Sequence, residues 1–121
     1  MTIKDIITDT DVLKTNQYND DQKRAWLSDL DKRIYNDLIV TRADFNEEED
    51  EVVFPYEDTD HELILDSRDM YIYYLMAQID FFNAEYTRYN NEMAAFNAAY
   101  ADAAYRFNRQ NVAKATRWTN F

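Results

Sequence analysis

The longest regular pattern in the chain is a stripe of apolar residues between positions 72 and 107. Its members recur at alternating steps of three and four residues, which is the spacing of one face of an α-helix. They are Ile72, Leu75, Ile79, Phe82, Tyr86, Tyr89, Met93, Phe96, Tyr100, Ala103 and Phe107. Because many of these positions carry bulky rings, the stripe is wider than a coiled-coil seam, and we interpret it as the core of a domain.

The length of this stripe predicts an interruption. A single straight helix from residue 72 to residue 107 would be roughly 54 Å long, whereas a compact domain of this size has a radius of gyration of about 14 Å. We therefore expect a break or sharp bend at residues 89–91, where Asn91 can cap a second helix. The alanine-rich second half then packs back beside the first.

A second helical pattern lies between residues 20 and 41. Its apolar residues are Trp26, Leu27, Leu30, Ile34, Leu38 and Ile39. Asn19, followed three residues later by Gln22, predicts the N-cap of this helix with its reciprocal partner. Residues 1–15 contain enough apolar residues for a short helix or an anchoring arm. We expect the side chains that pack the core or join subunits to be Trp26, Leu30, Leu75, Ile79, Phe82, Tyr86, Tyr89, Met93, Phe96 and Tyr100.

The composition narrows the fold further. The chain has no glycine, no cysteine and one proline, which excludes disulfide frameworks, thiolate metal sites and glycine-rich phosphate loops, and it removes the favoured residues of β-hairpin turns. We predict an all-α fold: a small helical bundle with long antiparallel or bent helices, an acidic loop and an extended C-terminal tail. A chain of 121 residues forms one domain, which we place at residues 1–107, with the tail at 108–121.

The formal net charge of the full chain is −11, and all of its acidic residues lie at or before Asp102. Residues 44–62 hold ten acidic residues and no basic one, so we expect a solvated loop. The residues that we assign to an acidic loop or channel wall are Glu47, Glu48, Glu49, Asp50, Glu51, Glu57 and Asp58. The apolar segment 52–56 interrupts the run and predicts one hydrophobic tether, with a single strand pairing left open.

The C-terminal segment has the opposite charge. No acidic residue follows Asp102, whereas four basic residues do. With the two aromatic residues at the end, they form a predicted docking tail. Its members are Arg106, Arg109, Lys114, Arg117, Trp118 and Phe121.

The sequence offers little for catalysis. His61 is the only histidine, and nothing supplies a second nitrogen ligand for a metal site. The alternating acids at 58, 60 and 62 lack the glycine and the final glutamate of a calcium loop. No serine, threonine or lysine is marked as an activated nucleophile. We predict a protein that is not an enzyme and has no cofactor.

The tyrosines raise the question of nucleic-acid binding. Base stacking on rings requires a cationic groove around them, and these rings lie in an acidic body, so core and interface packing is the better interpretation. The N-terminus lacks the apolar run of a signal peptide, and no stretch has the length of a membrane span. We therefore expect synthesis in a cytoplasm and no membrane partner.

Several packing segments resemble a known class of proteins. They are 26–30 with 34–35, 54–56, 73–80, 83–86, 89–93 and 96–100. These segments look like small proteins from the structural modules of tailed phages and prophages of Gram-positive bacteria, and the chain resembles the head-tail connectors, also called adaptor or head-completion proteins. The resemblance covers about residues 16–110.

The resemblance implies a structural role in the virion. Connectors of this class form a ring, typically of twelve copies, below the portal, with a C-terminal segment that grips the portal and an opposite end that receives a downstream neck, stopper or tail-completion protein. DNA passes through such a ring without sequence-specific binding. An acidic wall suits that passage because it repels phosphate.

A second function from a different class stays open. An acidic regulatory protein can mimic the charge of DNA and block a basic nucleic-acid-binding protein of the host. Such a mimic works as a monomer or dimer and has no need of the tail. Its binding would be sensitive to salt.

Overall fold

A computed structural model describes residues 1–110 as four α-helices with a long connection between the second and the third. Helix α1 spans Ile3–Leu13, α2 spans Asp20–Ile34, α3 spans Arg68–Phe82 and α4 spans Tyr86–Gln110. A π-helical turn, Tyr35–Ile39, continues α2. The predicted all-α helical bundle is confirmed.

Side-chain caps fix where the first two helices begin. Thr2 and Asp5 form a capping box, in which each residue's backbone N–H donates to the other's side chain at 2.9 and 3.2 Å. The Oδ1 atom of Asn19 accepts a hydrogen bond of 2.8 Å from the backbone N–H of Gln22, which confirms the predicted N-cap. The reciprocal bond from the Asn19 amide to the Gln22 side chain does not form within the described residues. Each cap satisfies an amide that has no partner inside its helix.

The break in the aromatic stripe lies earlier than we predicted. Residues 89–91 belong to the uninterrupted helix α4, so the predicted position is wrong, and the chain turns at residues 83–85 instead. The amide of Glu85 donates to the Asp80 carbonyl at 2.8 Å, and the amide of Ala84 donates to the Phe81 carbonyl at 3.1 Å. These two bonds define a Schellman ending, with Ala84 in the left-handed region at a φ of 59°.

Helix α3 lies at the centre of the bundle. It packs against α1 and α2, and it forms a hairpin with α4. The side chains that are fully buried and apolar come from all the helices: Ile3, Ile6, Leu27, Leu30, Ile34, Met70, Tyr71, Leu75, Ile79 and Phe96. The core therefore includes α1, which we expected only as a short helix or an arm.

The connection between α2 and α3 is irregular but attached to the body. The Tyr56 side chain is only 4% exposed, which confirms the predicted tether. Near the end of the connection, Thr2 and Glu62 form an isolated antiparallel bridge, and the Leu63 amide donates to the Met1 carbonyl at 3.0 Å. Within residues 1–110 this bridge, and not segment 52–56, supplies the strand pairing that the sequence left open.

Helix α4 continues three residues past the end that we predicted. It includes every residue from Tyr86 to Gln110, the last described residue, so residues 108–110 are helical and not part of an extended tail. The rest of the predicted tail, residues 111–121, lies outside the described residues.

Candidate interaction surfaces

An exposed group of rings marks the turn between α3 and α4. We call Phe81, Phe82, Tyr86 and Tyr89 the aromatic corner. Phe81 lies at its centre, with ring centroids 5.2 Å from Phe82, 6.0 Å from Tyr86 and 5.2 Å from Tyr89. The first three residues are 43%, 56% and 57% exposed. Contiguous apolar surface of this kind is typical of a site of contact with another protein.

The local backbone explains why these rings reach the surface. Phe81 and Phe82 form the last turn of α3, and the Schellman ending then reverses the chain at Ala84. Phe82 stacks on the Trp26 ring of α2 at a centroid distance of 5.4 Å, which covers one of its faces. Phe82 is nevertheless 56% exposed.

A cluster of charged side chains joins three helices near the aromatic corner. Lys14 follows α1 and places its Nζ atom 2.7 Å from Oδ2 of Asp80 and 3.4 Å from Oε1 of Glu92. Both carboxyls are largely buried, with side chains 3% and 12% exposed. We call Asp80 and Glu92 the carboxyl pair.

The pKa values of the two carboxyl groups in the carboxyl pair shift in opposite directions. Burial, together with a hydrogen bond to Asp80, raises the pKa of Glu92 to about 7. Burial acts in the same direction on Asp80, but hydrogen bonds from Glu92 and Lys14 outweigh it and lower the pKa of Asp80. Glu92 is therefore the member of the pair that is protonated at mildly acidic pH.

A buried carboxylate on α2 holds the acidic loop. Asp31 accepts hydrogen bonds from the hydroxyls of Tyr71 at 2.6 Å and Tyr56 at 2.7 Å, and from the Ile64 amide at 3.1 Å. The Tyr71 hydroxyl in turn accepts from the Leu65 amide at 3.0 Å. We call this set the Asp31 network. It connects α2, α3 and the second half of the connection.

Burial decides the protonation of the Asp31 network. It raises the pKa of Asp31, although the three hydrogen bonds oppose the shift. Burial, followed by the neighbouring Asp31 charge, also raises the pKa of Tyr56 and Tyr71. Both tyrosines are therefore neutral donors throughout the physiological range.

The residues assigned to the acidic loop or channel wall lie at the surface. Asp50 is half-buried and accepts a hydrogen bond of 3.0 Å from the Asn46 amide. The other six are exposed: Glu47, Glu48, Glu49, Glu51, Glu57 and Asp58. The loop thus presents its carboxylates outward while the Asp31 network and Tyr56 hold its inner side.

One part of this loop forms a groove with an apolar floor. The floor consists of Tyr35 from the π-helical turn with Val40 and Phe45, and the cavity has a volume of about 550 Å³. Three carboxylates line it as well: Glu47, Glu48 and Glu51. We call these six residues the acidic groove.

The predicted docking tail is described only at its start. Arg106 and Arg109 lie exposed on the last turns of α4. Arg106 pairs with Asp102 at 3.0 Å, and the Arg109 guanidinium lies 5.9 Å from the Tyr105 ring centroid. The remaining assigned residues, Lys114, Arg117, Trp118 and Phe121, lie outside the described residues.

The residues predicted for core or subunit packing divide into three groups. Five of them are buried: Trp26, Leu30, Leu75, Ile79 and Phe96. Tyr89, Met93 and Tyr100 are half-buried. Phe82 and Tyr86 are exposed, so within this single chain they do not act as core residues.

Sequence reasoning missed Asp31 and the carboxyl pair. Asp31 had a detectable signal, because it lies four residues after Leu27 and three before Ile34 on the apolar face of α2. Asp80 likewise follows Ala77 by three residues, and both are buried. A carboxylate on an apolar face predicts a buried hydrogen-bond network. Glu92 had no comparable signal, since its environment depends on α1.

Two searches of the described residues gave negative results. In the range 1–110, no three His, Cys, Asp or Glu side chains lie close enough to hold a metal ion. None of the helices in that range combines the length and apolar character needed to cross a membrane.

Comparisons with protein-family models, with curated proteins and with solved structures each gave no match.

Proposed function

We propose that this protein is a structural assembly subunit, and more specifically a head-tail connector of a tailed phage or prophage that forms a ring below the portal. The observation that carries the proposal is the aromatic corner. Three adjacent rings that are 43–57% exposed are costly to leave in water and are typical of a surface that another subunit covers.

The outer side of α4 supports contact between neighbouring subunits. Ala94, Ala98 and Ala101 are exposed at helical spacing along it, and small side chains allow a second helix to approach closely. The helix has 25 residues, which corresponds to about 37 Å. A neighbour that packs along this side and over the aromatic corner has an extended contact.

The charge distribution supports passage of DNA. The exposed carboxylates of the acidic loop repel phosphate, so a ring with this loop at its lumen lets DNA move without binding it. The basic residues after Asp102 form a separate segment of the sequence that contains no acidic residue. In the proposed ring, the segment from Arg106 to Phe121 contacts the portal, and the other end receives the next neck or tail protein.

The test is co-expression of the full chain with the portal protein from the same genome, followed by purification and electron microscopy. We expect a ring on the portal. The double variant Phe81→Ser, Tyr86→Ser should no longer form the contact between copies. The variant Trp118→Ala should no longer co-purify with the portal protein. Val53→Ser is the matched control, because Val53 is 71% exposed but lies far along the chain from both surfaces. A wild-type chain that neither associates nor binds the portal would refute the proposal.

The exposed carboxylates also favour a second candidate function, the DNA mimic. This candidate predicts a monomer or dimer that binds a basic DNA-binding protein in a salt-sensitive manner. Replacing Glu47, Glu48 and Glu49 with glutamine should abolish that binding. The same replacements should leave a connector ring assembled, so the two functions are distinguishable.

A further inference from the structure

The acidic groove combines an apolar floor with uncompensated negative charge. Val40 is 40% exposed, and the rings of Tyr35 and Phe45 are half-buried, with centroids 6.2 Å apart. The π-helical turn shapes one side, because its wider i to i+5 bond from the Val40 amide to the Tyr35 carbonyl, 3.0 Å long, brings these two residues together. The resulting cavity of about 550 Å³ has room for a large side chain.

The carboxylates of the groove have no cation to neutralise them in the part of the chain that the structure describes. Glu47, Glu48 and Glu51 are all exposed, and no side chain among residues 1–110 forms an ion pair with any of them. The nearest cation in sequence is Arg42, and it is engaged with Asp44 through two contacts of 2.8 and 3.0 Å. The groove therefore suits an occupant that is both apolar and basic.

The chain itself contains a segment of that chemistry. Residues 111–121 carry Lys114 and Arg117, no acidic residue, and the large apolar side chains of Trp118 and Phe121. Two cations precede the tryptophan, and a phenylalanine follows it. The rings suit the apolar floor of the groove, and the cations suit its carboxylates. Tryptophan and arginine are also the residues that most often dominate binding at interfaces.

The position of α4 brings this segment to the groove. The Tyr100 hydroxyl donates to Asp37 of the π-helical turn at 3.2 Å. Three residues before Gln110, the Phe107 ring centroid lies 5.9 Å from the Arg42 guanidinium. The Phe45 amide donates to the Arg42 carbonyl at 3.1 Å, so the groove adjoins this contact. Trp118 lies eight positions after Gln110, and an extended chain of eight residues spans about 26–29 Å.

We propose that residues 111–121 occupy the acidic groove of the same molecule, with Trp118 on the floor and with Lys114 and Arg117 on the carboxylates. The aromatic corner is a poorer site for this segment because it lies at the opposite end of α4, about 37 Å away.

This inference goes beyond the proposed function, since it concerns the chain before any partner is bound. It assigns the tail a resting position from which a second protein has to displace it. The two proposals are tested separately, because the groove is examined without a portal protein.

The experiment is paramagnetic relaxation in the full chain. The sequence has no cysteine, so Asn120→Cys provides a single site for a spin label. In a ¹⁵N-labelled sample that carries the label, we expect loss of the amide signals of residues 40–51. A second sample mixes ¹⁵N chain that lacks the spin label with ¹⁴N chain that carries it. This sample should show no loss of signal, because the proposed contact is intramolecular.

Charge variants in the labelled chain test the mode of binding. The triple variant Glu47→Gln, Glu48→Gln, Glu51→Gln should restore the lost signals. The control variant Asp29→Asn, Asp69→Asn, Glu85→Gln changes the net charge by the same amount at exposed positions. In this control, the amide signals of residues 40–51 should remain absent. Signals of residues 40–51 that are unaffected by the label would overturn the proposal. Loss at residues 81–86 instead, or loss only in the mixed sample, would overturn the assignment to the same molecule's groove.

Discussion

The connection between α2 and α3 is acidic but contains buried residues, whereas the aromatic corner is apolar but exposed. The connection is rich in carboxylates, yet Tyr56 and Leu63 within it are 4% and 8% exposed. The corner consists of rings, yet Phe82 and Tyr86 are more than half exposed. A loop becomes part of the core when a buried group satisfies its donors, whereas rings at a helix end stay exposed when no other element packs over them.

The Asp31 network is the reason for the first half of this comparison. A buried carboxylate that accepts three hydrogen bonds replaces water as the partner of two hydroxyls and one amide. Removing such a group leaves those donors buried without partners, which costs more than the bonds themselves contribute. The aromatic corner has no corresponding set of contacts in the described chain.

The largest expected effect is that of Asp31→Ala. We expect a loss of about 3–5 kcal/mol in the free energy of unfolding, because three donors lose their acceptor. Urea denaturation measures it, and Asp29→Ala, at an exposed position on the same helix, is the control with an expected change within about 0.5 kcal/mol. Equal effects of the two substitutions would show that the network does not hold the connection.

The protonation of Glu92 should make the free energy of unfolding depend on pH. Since the folded-state pKa of about 7 exceeds the ordinary value, the folded state binds the proton more tightly. Its contribution to stability is complete below the unfolded-state pKa and is lost as pH rises through 7. From pH 5 to pH 8, wild type should lose about 1–3 kcal/mol more than Glu92→Gln, which keeps a neutral side chain.

Urea denaturation at both pH values measures this difference. Asp80 and Lys14 face Glu92 directly, and Arg88 contributes a further charge to the cluster. All three stay in place in Glu92→Gln, so they cancel in the comparison to first order. Parallel pH profiles for the two proteins would contradict the assignment of the proton to Glu92.

Ala84→Gly should stabilise the protein. Ala84 has a φ of 59°, where an L-residue with a Cβ atom is strained by about 1–2 kcal/mol. Glycine removes that strain but adds entropy to the unfolded chain, so we expect a net gain of about 0.5–1 kcal/mol. Thermal denaturation checks it. Ala98→Gly, in the exposed middle of α4, should instead cost about 1 kcal/mol.

The smallest effect on stability is expected at the aromatic corner. Tyr86→Ser removes a whole ring but should change the free energy of unfolding by less than about 0.5 kcal/mol, since the ring is 57% exposed. Tyr71→Phe removes one buried oxygen and should cost about 2 kcal/mol. If the corner substitution proves the more destabilising of the two, the corner is part of the core and not a free surface.

Sequence patterns predicted much of the fold and less of the candidate surfaces. The helices containing Trp26 and Leu75 followed from periodicity, and the Asn19 cap followed from side-chain chemistry. The capping ability of Asn91 favours a break at residues 89–91, whereas the chain breaks where Ala84 adopts a left-handed conformation. No local pattern marks an alanine for that role.

The helical class, the tether at Tyr56 and the separation of acidic from basic charge follow from the amino-acid sequence, since each depends on spacing or composition along the chain. Tertiary structure alone decided the environments of Asp31, Glu92 and the aromatic corner. Each of these depends on contacts between residues that lie far apart in sequence, such as Tyr71 with Asp31 or Lys14 with Glu92. Burial is a property of the assembled bundle, and it raises the pKa of Asp31 and of Glu92.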